Sequence, residues 1–180
     1  ESVGSQRHMG AIVDQVPTAP DEKVSLFKRR FAARTDLFPR FWENASKGTK
    51  GYYPVCEAVY ESGVRLKPSE LYSRFGSAKF SRLGYKVIED HLSGKHAIGS
   101  YAIRKDDTCI FLAADFDGEG WKACAAAYAE SAELFGFQVL LEISRSGNGA
   151  HAWLFFAEPI SASLARSLGS LILGEASGRL

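Results

Sequence analysis

The alternation of apolar and polar positions is cleanest in the second half of the chain, where it predicts a regular series of elements. Period-two patterning marks strands over residues 97–104, 109–117, 138–144 and 151–156, because alternate side chains of a strand face opposite ways. Lys105-Asp106-Asp107-Thr108 and Ser146-Gly147-Asn148-Gly149 supply turns between them. Two helical stretches interrupt the strands: an alanine-rich one over residues 121–135, stopped by Gly136, and an amphipathic one over residues 161–175, after Pro159. The order is strand, strand, helix, strand, strand, helix.

The first half is less regular. Thr18-Ala19-Pro20-Asp21 reads as a helix start, with a threonine cap, a proline in the first turn and acids where the helix dipole favours them. Val24, Phe27 and Phe31 give that helix an apolar stripe, and Lys28, Arg29, Arg30 and Arg34 crowd its C-terminal end. Residues 35–68 mix turn formers with aromatics, including Phe41-Trp42 and Tyr52-Tyr53; such rings pack a small accessory core more often than they stack on bases. Residues 69–92 have helical spacing, with Arg74, Lys79, Arg82 and Lys86 spread along them, and Ser93-Gly94 stops them. The expected division is a flexible arm over 1–20, a basic, mainly helical accessory region over 21–92, and a core over 93–180. Residues 1–8, ahead of Met9, fit a cloning remnant.

Antiparallel hairpins joined by helices predict an α+β core, an RRM-like two-layer antiparallel sheet with helices on one face. The helix-covered face takes Ile110, Leu112, Ala114, Phe116, Val139, Leu141, Ile143, Ala152, Leu154 and Phe156. The other face presents Asp115, Asp117, Glu142, Ser144, His151 and Trp153. An inert two-layer domain has no need to collect those groups on one surface.

Composition sets the bounds. A chain of 180 residues, 46% hydrophobic and 24% charged, is one ordinary globular domain, or one domain with a small accessory lobe, and is long enough to bury a sizeable core. No apolar run approaches the roughly 20 residues of a membrane span, and no secretory pattern opens the chain, so a cytoplasmic setting is the default expectation. Cys56, Cys109 and Cys124 are odd in number and far apart, which suits reduced thiols rather than disulfides or a zinc knuckle. Residues 23–86 hold fourteen Lys or Arg against five Asp or Glu, whereas residues 87–180 hold seven against twelve. A basic front half beside an acidic back half suits a polyanion surface next to a metal site, and it also fits an uneven solvated surface.

Two motifs carry the candidate chemistry. Asp115 and Asp117 end an apolar strand on one face, and like charges that close are best tolerated with a divalent cation between them. Alone, the pair also fits a solvated turn. In Ser144-Arg145-Ser146-Gly147-Asn148-Gly149-Ala150-His151, the glycines allow a tight turn whose amides approach an anion, Arg145 adds a positive fork, and His151 can donate to a phosphate oxygen. Alone, that segment is an ordinary hairpin turn with a structural histidine. The presence of both on neighbouring strands favours function.

Residues 91–103 (HLSGKHAIGSYAI), 106–118 (DDTCIFLAADFDG) and 142–156 (EISRSGNGAHAWLFF) resemble the archaeo-eukaryotic primase superfamily. The chain is most similar to the primase-polymerase domain of TOTE conflict systems, with similarity running from about Asp21 through residues 34–44 and 51–56 to the C-terminus. The resemblance implies a nucleotidyltransferase that adds nucleotides to a 3′-hydroxyl on a single-stranded DNA or RNA template by two-metal catalysis. It implies that Asp115 and Asp117 bind catalytic Mg²⁺ or Mn²⁺, and that His151 contacts the incoming NTP or dNTP. Arg145, Ser146, Gly147, Asn148 and Gly149 would hold the triphosphate. Lys28, Arg29, Arg30, Arg74, Lys79 and Arg82 are candidates for tracking the template through its phosphates. Helicase or nuclease modules in the same polypeptide or operon are implied partners, and a membrane is not.

Two departures stand out. The superfamily has a third motif with a further metal-binding aspartate, and this chain has no Asp after Asp117. The expectation is that the sequence stops before that motif, with Glu142 a partial substitute at most. Relatives carry a cysteine cluster where this chain has VRLKPSELYSRFG, residues 64–76. Two rivals follow: a catalytically incomplete nucleic-acid- or nucleotide-binding module of a mobile element or conflict system, and a metal-dependent nuclease.

Overall fold

The structure, a computed structural model, describes residues 16–180. Most of the expected arm, residues 1–15, lies outside the described residues. Helix α1 (Pro20–Phe31) begins with proline at its first position and carries Lys28, Arg29 and Arg30 in its last turn. Its cap differs from expectation: Ala19 occupies the N-cap, and Glu22 reaches back to accept the backbone N–H groups of Thr18 and Ala19, each at 3.3 Å.

Two antiparallel hairpins follow, β1 (Pro39–Asn44) with β2 (Thr49–Pro54), and β3 (Tyr60–Glu61) with β4 (Val64–Arg65). Then come α2 (Pro68–Phe75), a 3-10 turn (Gly76–Lys79) and α3 (Tyr85–Leu92). The region between residues 21 and 92 is therefore a mixture of helices and hairpins rather than mainly helical. The helical spacing over 69–92 resolves into separate helices because the backbone of residues 79–81 pairs elsewhere: Glu57 N–H donates to Lys79 O and Ser81 N–H to Val55 O, both at 2.9 Å. Two small cores result. Val24, Phe38, Leu83, Ile88 and Ile98 form one, and Leu37, Leu66, Leu71 and Phe80 the other.

Arg34 ties this region together. Its Nε and Nη2 donate to the two oxygens of Asp36 at 3.0 and 2.8 Å, and Nη2 also donates to the Tyr72 hydroxyl at 3.2 Å. Lys105 adds a second cation 3.1 Å from Asp36. The Arg34 hydrogen bonds hold the Asp36 carboxyl well below the usual carboxylate range, and the same bonds push the Arg34 guanidinium up.

The main sheet has three strands in the order β5 (Thr108–Asp117), β7 (Gly149–Ser161), β6 (Leu140–Ile143), all antiparallel neighbours. Helices α4 (Trp121–Leu134) and α5 (Ala162–Ser177) cover one face. Tyr128, Ala132, Leu154, Ile172 and Ala176 fill the space between, with Leu112, Ala114, Phe116, Val139 and Phe156 packed against them. Helix α5 lies so close to the sheet that a Cβ at Gly169 would sit 3.2 Å from Leu112. Ser161 caps it, its Oγ accepting Leu164 N–H at 3.3 Å.

Three expectations are corrected here. Residues 97–104 form no strand; an isolated bridge joins Ile98 to Arg40, with Phe41 N–H on Ala97 O and Gly99 N–H on Pro39 O at 2.9 Å each. That segment spends its pairing on the edge of β1, and the core order becomes strand, helix, strand, strand, helix. Strand β7 runs past Phe156 to Ser161, because the register of β5 jumps between Cys109 and Phe111 and leaves Pro159 in the irregularity, where it owes no ladder hydrogen bond. Leu141 and Ile143 are 49% and 66% exposed rather than under the helices, since β6 is a short edge strand. The three cysteines are free thiols, and among the described residues no helix is long and apolar enough to cross a membrane.

Candidate functional site

Pairing of the strands sets the uncovered face of the sheet in rows. Asp115 lies opposite His151 and Asp117 opposite Gly149, while Glu142 on β6 lies opposite His151 from the other side. His151 is thus flanked by carboxylates, with Nε2 3.6 Å from Asp115 Oδ1 and Nδ1 3.4 Å from Glu142 Oε2. The same Glu142 oxygen accepts the indole N–H of Trp153 at 2.8 Å, which fixes the carboxylate beside the imidazole. The His151 and Trp153 rings meet edge to face, 5.8 Å between centroids.

Asp117 is joined to the glycine turn. A Cβ at position 149 would fall 2.4 Å from Asp117 Oδ1 and 2.7 Å from the Phe116 carbonyl oxygen, so glycine is what lets the carboxylate approach the turn. Within the turn, Ser144 N–H donates to Gly149 O at 2.9 Å and Gly147 N–H to Ser144 O at 2.8 Å. Ser144 Oγ and Ser146 Oγ are 3.1 Å apart, and Ser146 Oγ accepts Asn148 N–H at 3.3 Å. Carboxylate, turn and hydroxyls form one continuous polar surface, with Arg145 exposed beside it.

The other end of the same face is closed. Phe31, at the end of α1, places its ring 5.1 Å from Trp153, 5.2 Å from Phe155 and 6.1 Å from Phe111. Sequence reasoning put Phe31 on an apolar stripe without its destination, and put Trp153 on an open face that α1 in fact covers.

The candidate template-tracking residues lie on several elements. Lys28, Arg29 and Arg30 share the last turn of α1, where Arg30 lies 5.4 Å over the Phe155 ring. Arg74 is paired with Glu61 at 2.8 Å, Lys79 with Glu57 at 2.9 Å, and Arg82 is exposed. The expected aromatic accessory core is also only partial: Phe38 is buried, whereas Trp42, Tyr52 and Tyr53 are exposed.

Among the described residues, no group of three or more His, Cys, Asp or Glu is placed to hold a metal ion. The exposed Asp115 and Asp117 are two hard oxygen donors on one strand face. That set fits Mg²⁺ or Mn²⁺, which keep waters and are commonly bound by one or two carboxylates together with substrate phosphates. Glu142 is not grouped with them for a metal ion, and its Oε2 is taken by Trp153 and His151.

An α+β sheet thus carries a carboxylate pair that runs into a glycine turn. Residues 22–179 match the family model of the TOTE conflict system archaeo-eukaryotic primase domain, and the chain belongs to that family. No curated protein matches the chain.

Proposed function

We propose that this domain adds nucleotides to a 3′-hydroxyl on a single-stranded template, as a DNA primase-polymerase. Family membership supports a primase role with nucleic-acid and nucleotide substrates, and we read β5, β7 and β6 backed by α4 and α5 as an RRM-like layer. The observation that carries the reading is the contact of Asp117 with Gly149, which makes the carboxylate pair and the turn a single site. Asp115 and Asp117 would hold Mg²⁺ or Mn²⁺, and the bound ions would supply charge neutralisation at the reacting phosphate. Arg145 and the Ser146–Gly149 turn bind the triphosphate, and His151, oriented by Glu142, donates to a phosphate oxygen. Catalysis by the chain's own residues is then positioning and fixed charge. The basic N-terminal region supplies salt-sensitive, sequence-independent contact with the template.

Asp115→Ala and Asp117→Ala should each lower metal-dependent primer extension by at least roughly a thousandfold while leaving thermal unfolding unchanged. Unchanged extension in both variants removes the assignment. Template binding by the native chain with no product under Mg²⁺ or Mn²⁺ selects the binding-module reading instead.

A further inference from the structure

The β1–β2 hairpin has two faces, and one of them looks towards the glycine turn. Alternation and register put Phe41, Glu43, Lys50 and Tyr52 on that side, across a cavity from Arg145 and Ser146. The opposite face holds Arg40, Trp42, Asn44, Thr49, Gly51 and Tyr53. Its base belongs to the accessory core, where Phe38 and Val55 pack with Val24, Ile88 and Ile98. Beyond that base the rings reach water, with Trp42 39% and Tyr53 40% exposed.

Trp42 is laid down by the residue across from it. Gly51 is its register partner, and a Cβ there would lie 3.4 Å from the indole Nε1 and 3.8 Å from Cε2 and Cζ2. The ring therefore passes over the neighbouring strand instead of standing off the ribbon. Tyr53 follows two residues further along β2, opposite Arg40, which makes it the diagonal neighbour of Trp42. Such positions are about 7–8 Å apart, close enough for the two rings to take neighbouring nucleotides of one strand. The tip beyond them is tied by Asn44, whose Oδ1 accepts the Ser46 hydroxyl at 2.7 Å and Lys47 N–H at 3.2 Å.

Charge on this face has one sign. None of its six residues is a carboxylate, Arg40 stands beside the rings, and exposed Lys47 lies at the tip. Residues 79–81 pair with the continuation of β2, which brings in Lys79, matched by Glu57 at 2.9 Å, and leads on to exposed Arg82. Open rings among cations fit a single-stranded nucleic acid, whose bases offer flat faces and whose phosphates offer negative charge. An acidic peptide would match the charge and leave the two rings unused.

We propose that this face is a stacking platform for the single strand outside the reaction centre, neighbouring bases lying on Trp42 and Tyr53 while Arg40 and Lys47 meet the phosphates. It is turned away from the Ser144–Gly149 turn, so it holds the strand without entering the carboxylate site. The proposal rests on the template-binding part of the reading above. Stacking accepts any base, as a platform for a template of arbitrary sequence must.

The test is fluorescence anisotropy at fixed low salt, with a labelled oligo-dT strand and an abasic strand of the same length. Trp42→Ala and Tyr53→Ala should each lose roughly tenfold in affinity for oligo-dT, and should bind the abasic strand as the native chain does. Trp42→Phe should recover most of the loss. Lys47→Ala should weaken both strands alike and reduce the salt slope by about 1. Equal oligo-dT affinity in both alanine variants overturns the proposal, as does an equal loss for the abasic strand, which would mean that the rings act through the fold. If the native chain binds the abasic strand as tightly as oligo-dT, only the platform falls. If it binds neither strand, the template reading falls with it.

Discussion

The two ends of the uncovered sheet face carry opposite kinds of side chain. At one end Phe31, Phe111, Trp153 and Phe155 interlock beneath α1. At the other, Asp115, Asp117, Glu142 and His151 remain open to solvent. Strand β7 passes through both, and the Trp153 hydrogen bond to Glu142 marks the border between them. The closed end gains from burial, since its rings leave water and pack edge to face. The open end gains nothing comparable, because it holds like charges near one another, a repulsion that a bound cation would offset. One end stabilises the sheet; the other is held in place by it.

Substitutions at the two ends should therefore separate activity from stability. Beyond the two aspartates themselves, the largest effect belongs to Gly149→Ala, whose Cβ would meet a backbone oxygen that cannot step aside. We expect primer extension to fall roughly a hundredfold through misplacement of Asp117, with about 1–3 kcal/mol of stability lost to overpacking in urea titrations. Phe31→Ala should do the reverse, costing about 2–3 kcal/mol in the same titrations while specific activity of the folded fraction changes less than threefold. A loss of activity larger than the loss of stability would erase the distinction between the ends. At the border, Glu142→Gln keeps the shape but weakens the hold on His151, so the nucleotide KM should rise roughly tenfold with kcat changed little. The smallest effect lies outside both ends. Asp36→Asn should cost about 1 kcal/mol near neutral pH, because solvent screens the open side of the Arg34 pair. The folded-state carboxyl is held below its unfolded value of about 4, so this contribution is present above that pH. It should disappear as pH falls through the depressed folded value, narrowing the gap between native chain and variant in acid unfolding curves.

What was legible in the sequence was whatever depended on neighbours along the chain. The alternation over Leu112, Ala114 and Phe116, the alanine-rich α4 and the Ser161 start of α5 follow from local period and capping, and the structure has them. Gly149 was legible as a turn residue, but its contact with Asp117 depends on strand register, which no local signal sets. Residues 97–104 alternate like a strand, yet alternation does not name a partner, and only Ile98 finds one. Leu141 and Ile143 follow the buried pattern and are exposed because β6 lies at an edge, a property of strand order rather than of period. Tyr52 was weighed as core because aromatics usually are; its exposure beside Arg145 comes from two segments nearly a hundred residues apart meeting in space.

Glu142 has a second consequence, for solubility. Strand β6 reads Leu140-Leu141-Glu142-Ile143, with its three aliphatic side chains exposed along an edge of the sheet. Such an edge is a template on which a second chain can add a strand, and a single charge in the middle is a common natural safeguard. The carboxylate beside His151 is also the one charge on this exposed aliphatic edge. Neutralising it should be followed by light scattering as well as by kinetics, because a turbid sample would imitate a lost active site.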